Sequence, residues 1–188
     1  MKRKFLFSLA LVCLSLSVFA QKSETKPTKF DARIGIGLFP TFLKDDAQVN
    51  ILPINANLDY RLSKLFSLGI YAGYSKSTAS KQGVFGGDDM LEWSNQFLTV
   101  GVRGTFHFPT SFKNWEPYGG VTIGANTSMI EVKQGVPETI EKMQLKTNTD
   151  FAMTFFVGTR FKVSENIGVY GEIGFMASLA NVGISYRF

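Results

Sequence analysis

The fold is decided by the last eight residues of the chain, Asn181-Val182-Gly183-Ile184-Ser185-Tyr186-Arg187-Phe188. Every second residue of this stretch is apolar, namely Val182, Ile184, Tyr186 and Phe188. The residues between them are small or polar, and a period of two predicts a β-strand with one apolar and one polar face. We expect this strand, which ends on an aromatic residue, to pair with the first strand, because a closed barrel leaves no free edge.

Seven upstream segments show the same alternation. They cover residues 30–39, 54–62, 65–75, 95–108, 117–129, 149–163 and 167–176. With the terminal strand they predict an all-β fold, an eight-stranded antiparallel up-and-down transmembrane β-barrel. Short turns follow the second, fourth and sixth strands, whereas residues 76–94 and 130–147 are expected to form long outer loops, the asymmetry of bacterial outer-membrane barrels. Pro53 and Pro117 are expected at strand ends, since a proline within a strand removes a ladder hydrogen bond.

The two faces of these strands differ in charge. The apolar faces carry no charged residue, and the other faces carry Asp31, Arg33, Asp59, Arg61, Arg103, Arg160, Lys162, Glu172 and Arg187. A soluble exported barrel, which stays the alternative, would turn its apolar face inward. Aromatic residues near both ends of the apolar face favour a membrane barrel with that face outward. Glycines on the polar face agree, because a narrow barrel has little interior room.

Residues 30–188 resemble the small eight-stranded outer-membrane barrels of the OmpA-transmembrane-domain and OmpX type, within the broad outer-membrane β-barrel family. In such proteins a final Phe with alternating apolar residues before it is the recognition signal for the insertion machinery. The resemblance therefore implies a cell outer membrane location, contact with outer-membrane lipid, and an insertion signal made of Val182, Ile184, Tyr186 and Phe188. It covers nearly all of the expected mature chain and selects no subfamily.

The first twenty residues have the pattern of a secretory signal peptide. Lys2, Arg3 and Lys4 precede an apolar run, and small or short residues precede a cleavage point before Gln21. Residues 21–29 are polar and are expected to form a disordered lead-in to the barrel domain over residues 30–188. The one cysteine, Cys13, lies in the signal segment, so we expect no disulfide in the mature chain.

The basic character of the chain comes largely from this segment. Removing residues 1–20 takes away three basic residues and no acidic one, which leaves 17 Lys and Arg against 15 Asp and Glu. We therefore expect no nucleic-acid partner.

The inward charges are the candidate site. Counted from the short-turn end, Glu172 and Arg103 lie at similar depth, and desolvated charges persist only when they are paired or wet. We predict that Glu172 pairs with Arg103 and with one of Arg33 or Arg160. The wider network is expected to include Asp59, Arg61 and Arg187. Its expected role is to pack and plug a narrow lumen, and the alternative is an anion-preferring or gated pore.

No motif predicts enzymatic chemistry. The chain has no GxSxG, HExxH or phosphate-loop pattern, and its one histidine, His107, is expected at the interface beside a periplasmic turn. Asp88 and Asp89 lack convincing Ca²⁺-ligand spacing, so no catalytic, cofactor or metal residue is predicted. The predicted role is envelope integrity or adhesion, with a possible extracellular ligand at loops 76–94 and 131–147. The alternatives are a narrow porin-like channel and, third, a lipid-acting membrane enzyme.

Overall fold

A computed structural model describes residues 30–40, 48–82, 90–134 and 147–188. These residues form eight strands: β1 (Phe30–Gly37), β2 (Gln48–Arg61), β3 (Phe66–Gln82), β4 (Met90–His107), β5 (Trp115–Gln134), β6 (Asn148–Lys162), β7 (Ile167–Gly174) and β8 (Ala180–Arg187). The expected signal peptide, the lead-in over residues 21–29, and Asp88 with Asp89 lie outside the described residues. Within the described ranges, no helix is long and apolar enough to cross a bilayer.

Each strand pairs antiparallel with the next, and β8 pairs with β1 to close the barrel. The predicted eight-stranded antiparallel barrel is therefore confirmed. At the seam the Phe30 N–H donates to the Phe188 carbonyl at 3.0 Å, and the Phe188 N–H donates to the Phe30 carbonyl at 3.1 Å. The two rings stack with their centroids 5.5 Å apart. The terminal aromatic residue thus takes part directly in closure.

The strands are staggered around the barrel. Following paired residues from Arg33 leads to Ala152 of β6 in one direction and to Lys162 of β6 in the other. Such an offset means that the strands tilt against the barrel axis, as closure requires. Side chains that are not opposite each other in any ladder can therefore meet in the interior.

The polar face points into the barrel and the apolar face points out. On β4 the Thr99 side chain is 0% exposed, whereas the neighbouring Val100 is 48% exposed. The other strands repeat the pattern, with residues such as Ile34, Ile70, Phe155 and Ile184 exposed. The alternative prediction of a soluble barrel with an apolar interior is therefore wrong, because the apolar surface of this chain faces outward around the circumference.

Four strands are longer than the alternation predicts. β2 has 14 residues, and β3, β4 and β5 have 17, 18 and 20, whereas β1, β7 and β8 have 8 each. The predicted loops 76–94 and 130–147 are accordingly wrong where residues 76–82, 90–94 and 130–134 continue the ladders; residues 83–89 and 135–146 are outside the described part. At the end of the barrel opposite the tight turns, β3, β4 and β5 therefore extend beyond the other strands. We call this extension the tall wall.

Pro53 and Pro117 do not lie at strand ends, where they were predicted. Pro53 lies inside β2, where the pairing with β3 shifts register between Ile51 and Ile54. A bulge of this kind accommodates a residue that cannot donate a ladder hydrogen bond. Pro117 is the third residue of β5, because that strand begins earlier than predicted, at Trp115.

Candidate functional site in the barrel lumen

The middle of the lumen is occupied by an ion pair between opposite walls. Arg103 of β4 donates from Nη2 to Glu172 Oε2 of β7 at 2.8 Å and from Nη1 to Glu172 Oε1 at 3.3 Å. The Tyr118 hydroxyl of β5 donates to Glu172 Oε2 at 3.1 Å, and Arg103 Nη1 also donates to Asn57 Oδ1 at 3.3 Å. This two-pronged geometry is the strong form of an arginine–carboxylate contact. Four strands are thereby joined across the interior.

Aromatic rings fill the space beside this pair. The Arg103 guanidinium lies 3.8 Å from the Phe156 ring centroid, and the Arg33 guanidinium lies 4.5 Å from the Tyr118 ring centroid. Arginine favours such faces because the ring quadrupole attracts a cation. The Tyr170 hydroxyl donates to Asn55 Oδ1 at 2.9 Å. Large side chains therefore occupy the lumen that the inward glycines leave open.

Two acidic residues lie directly opposite each other on neighbouring strands. Asp31 of β1 pairs in register with Asp59 of β2, and both side chains are buried. Arg33 lies between them, with Nε 3.4 Å from Asp31 Oδ1 and Nη2 3.3 Å from Asp59 Oδ2. Arg187 Nε lies 2.9 Å from Asp31 Oδ2, and Arg103 Nε lies 3.8 Å from Asp59 Oδ1. The guanidinium groups offset a repulsion that would otherwise oppose this register.

A second cluster lies at the short-turn end of the lumen. The Glu116 carboxylate accepts hydrogen bonds from Arg61 Nη2 at Oε1 and from Arg187 Nη2 at Oε2. His107 Nδ1 lies 3.0 Å from Glu116 Oε1, and Ser67 Oγ lies 3.0 Å from His107 Nε2. The Glu116 side chain is 20% exposed, so the cluster meets water at the barrel mouth while Ser67 is sealed beneath it.

The outer side of the lumen is closed by the connection between β7 and β8. Met176, Ala177 and Ser178 are buried there. A methyl group built on Gly73 of β3 would lie 3.0 Å from the Ala177 Cβ, although β3 is not a neighbour of β7 or β8. The Phe39 N–H donates to Ser178 Oγ at 3.0 Å. The short connection therefore folds inward and spans the interior at this level.

The sequence-predicted residues are brought together only in part. Arg33, Asp59, Arg103, Glu172 and Arg187 form contacts with one another or share a partner, and Arg61 joins them through Glu116. Val182, Ile184, Tyr186 and Phe188 all lie exposed on the outer face of the closing segment. Lys162, expected to face inward, is exposed at the end of β6.

The second predicted partner of Glu172 is wrong. Arg160 instead donates from Nε to Ser185 Oγ at 2.6 Å and from Nη2 to the Asn166 carbonyl at 3.2 Å. In the β6–β7 ladder Gly158, not Arg160, lies opposite Glu172, so Arg160 points nearer the turn. Arg33 is held by Asp31 and Asp59. The Tyr118 hydroxyl fills the remaining place on Glu172.

Sequence reasoning missed two members of the site. Glu116 was expected in the turn over residues 109–116, which is wrong because it belongs to β5 and its side chain faces the lumen. His107 lies beside the short turn as expected, but it is only 3% exposed and faces the lumen, so its expected place at the interface is wrong. A signal existed: Glu116 has the same parity along β5 as Thr122, which is buried inside. Glu116 was not counted in this strand because the strand was expected to begin at Pro117.

The contacts run from Ser67 to His107 to Glu116, the serine–histidine–carboxylate arrangement of a hydrolase triad. A nucleophile needs access to its substrate, and Ser67 is 0% exposed. The Glu116 carboxylate is also held by two guanidinium groups. The alignment therefore acts as a hydrogen-bonded chain between the ends of β3, β4 and β5. In the described part of the chain, no group of three His, Cys, Asp or Glu side chains could hold a metal ion.

Known proteins share this architecture. The profile of the family described as outer membrane protein beta-barrel domain matches residues 6–188. The outer membrane protein OprG from Pseudomonas aeruginosa superposes with a TM-score of 0.51 at 12% identity over 85% of this chain and 95% of its own. The N-terminal β-barrel domain of OprF from the same organism gives 0.47 at 11% identity, over 85% and 98%. No curated protein sequence matches the chain.

The family profile spans nearly the whole sequence, including all eight strands, and the OprG similarity supports the fold alone. Family membership points to the outer membrane. The chain belongs to the outer membrane protein β-barrel family.

Proposed function

We propose that this protein is a non-conducting barrel of the outer membrane with a structural and surface-interaction role. The observation that carries the proposal is the Arg103–Glu172–Tyr118 contact, which joins side chains from opposite walls at mid-lumen. A conducting pore needs a continuous wet path through its interior. Here the path is crossed by paired charges and aromatic rings, so the plugged state is favoured over a narrow porin-like channel.

The plug extends over the length of the lumen. The inward connection at Ala177 lies on the outer side, the Arg103–Glu172 pair lies in the middle, and the Glu116 cluster lies at the short-turn mouth. Paired, hydrogen-bonded charges avoid the large desolvation penalty of isolated ones. The interior side chains therefore hold the strands of the barrel together.

The tall wall supports the surface-interaction part of the proposal. In barrels of this class the short turns face the periplasm and the longer elements face the exterior. Past Tyr74, which lies level with the end of β1, β3 continues to Gln82, roughly 26 Å along the strand at the usual rise per residue. A protruding β-structure of this kind suits adhesion or envelope contacts with an extracellular ligand. Export through a signal peptide over residues 1–20 and insertion through the C-terminal strand belong to the same proposal.

Planar-bilayer recording of purified barrel tests it. We expect no steady ion conductance from the parent protein, while its change in gel migration on boiling shows that the barrel is closed. Tyr118→Ala with Phe156→Ala removes two rings from the lumen and should produce measurable channels, whereas the lipid-facing control Val100→Ala should not. Steady conductance by the parent would contradict the proposal and restore the porin-like alternative.

A further inference from the structure

An open apolar groove lies on the outer surface beside the turn between β4 and β5. It is lined by Phe112, Lys113, Asn114, Trp115 and Phe161 and has a volume of about 580 Å³. The Phe112 and Trp115 rings meet edge to face with centroids 5.9 Å apart. This groove lies at the level of the aromatic residues near the short turns, where a barrel crosses from hydrocarbon to head groups.

The groove is preformed by hydrogen bonds that backbone N–H groups of the turn and of β6 donate. The Phe112 N–H donates to Thr110 Oγ1 at 3.2 Å, and the Trp115 N–H donates to the Phe112 carbonyl at 3.4 Å. The Lys162 N–H donates to the Asn114 carbonyl at 2.8 Å, which ties the turn to β6. A ligand therefore meets a shaped wall and has little chain to order on binding.

One positive charge at this groove is left for an external partner. Lys113 is exposed, and in the described part of the chain no carboxylate lies within ion-pair distance of it. The acid nearest in sequence, Glu116, turns into the lumen and is held by Arg61 and Arg187. Apolar rings next to a solvated ammonium group match a molecule with hydrocarbon chains and an anionic head.

We propose that this groove binds an anionic phospholipid of the periplasmic leaflet. The acyl chains lie against Phe112, Trp115 and Phe161, and the head-group phosphate lies at Lys113. A phospholipid is preferred over a protein partner because Trp115 and Phe161, which line the groove, are exposed on the apolar outer face of the barrel. A single lysine near a membrane surface is expected to give a preference of about fivefold for an anionic over a zwitterionic lipid.

Tryptophan quenching tests the site. The chain has two tryptophans, so a Trp93→Phe variant leaves Trp115 as the only fluorophore. The variant is placed in phosphatidylcholine bilayers that contain a small fraction of brominated phosphatidylglycerol or brominated phosphatidylcholine. Brominated phosphatidylglycerol is expected to quench Trp115 with about fivefold tighter apparent binding. Equal quenching by the two lipids would overturn the proposal.

Two lysine variants separate a site from general surface charge. Lys113→Gln is expected to abolish the lipid preference, whereas Lys64→Gln, which removes an exposed lysine from the β2–β3 turn, should retain it. Equal effects of the two changes would mean that no specific site exists. Native mass spectrometry of retained phosphatidylglycerol on the parent, Lys113→Gln and Lys64→Gln proteins gives the same comparison without the Trp93 change.

Discussion

Arg103 of β4 and Glu172 of β7 share no ladder, yet they meet inside the barrel with 2.8 Å between Nη2 and Oε2. Arg103→Met leaves the Glu172 carboxylate buried without its guanidinium partner. We expect a loss of about 3–5 kcal/mol in the free energy of unfolding. Urea titration of barrel folded into lipid vesicles measures it.

The double variant Arg103→Met with Glu172→Gln supplies the control. Because it removes both charges, it should be less destabilised than the sum of the two single variants. Strictly additive losses would show that the pair is not energetically coupled.

Inward glycines make room for the rings of the plug. A methyl group built on Gly158 would lie 2.6 Å from Tyr118 Cζ, whereas one on Gly171 would meet no atom within 4 Å. Gly158→Ala is therefore expected to lower the free energy of unfolding by about 1–3 kcal/mol through overpacking. Gly171→Ala, in the neighbouring strand, should leave it unchanged. Similar losses for both variants, in the same urea titration, would argue against a tightly filled lumen.

The cluster at the short-turn mouth depends on one carboxylate. Glu116→Gln removes the negative charge shared by Arg61 and Arg187, and we expect a loss of about 1–3 kcal/mol, less than for a fully sealed pair because Glu116 is part-exposed. Glu165→Gln, an exposed change in the β6–β7 turn, should fall within about 0.5 kcal/mol of the parent. If Glu116→Gln is equally neutral, the cluster does not stabilise the barrel.

The side chain of the terminal residue is expected to matter more for insertion in cells than for closure of the purified barrel. Phe188 stacks on Phe30 at the seam, and it is also the last residue of the expected insertion signal. Phe188→Ala should strongly reduce the amount of heat-modifiable barrel in cell outer membranes, while purified protein refolded in detergent should close at nearly the parent yield. An equal defect in both measurements would assign the residue to closure alone.

The strand pattern could be predicted where one face meets lipid and the other meets the lumen. β1, β6 and β8 begin and end within a few residues of the alternation. The alternation ends near Ser75 of β3, although the strand runs on to Gln82, because above the membrane both faces of a strand can be polar. The part of a strand that extends beyond the bilayer therefore shows no period-two alternation in the sequence.

The partners inside the lumen could be predicted less well. The Arg103–Glu172 pair follows from equal depth and opposite charge. The strand tilt decides the rest: it places Tyr118, not Arg160, beside Glu172. Counting residues from the turn along each strand gives the depth of a side chain but not the strand tilt. The tilt is known only when the ladder registers around the whole barrel are known.

The central claim is that apolar side chains face lipid while polar ones fill a sealed interior. Adjacent residues of β4 test it, since Thr99 is 0% and Val100 is 48% exposed. A spin label is attached to Thr99→Cys or Val100→Cys in a protein of residues 21–188, which contain no cysteine of their own, reconstituted in bilayers. We expect the label at residue 100 to be relaxed strongly by oxygen, which dissolves in lipid, and the label at residue 99 to be shielded. Stronger oxygen relaxation at residue 99 than at residue 100 would contradict the account.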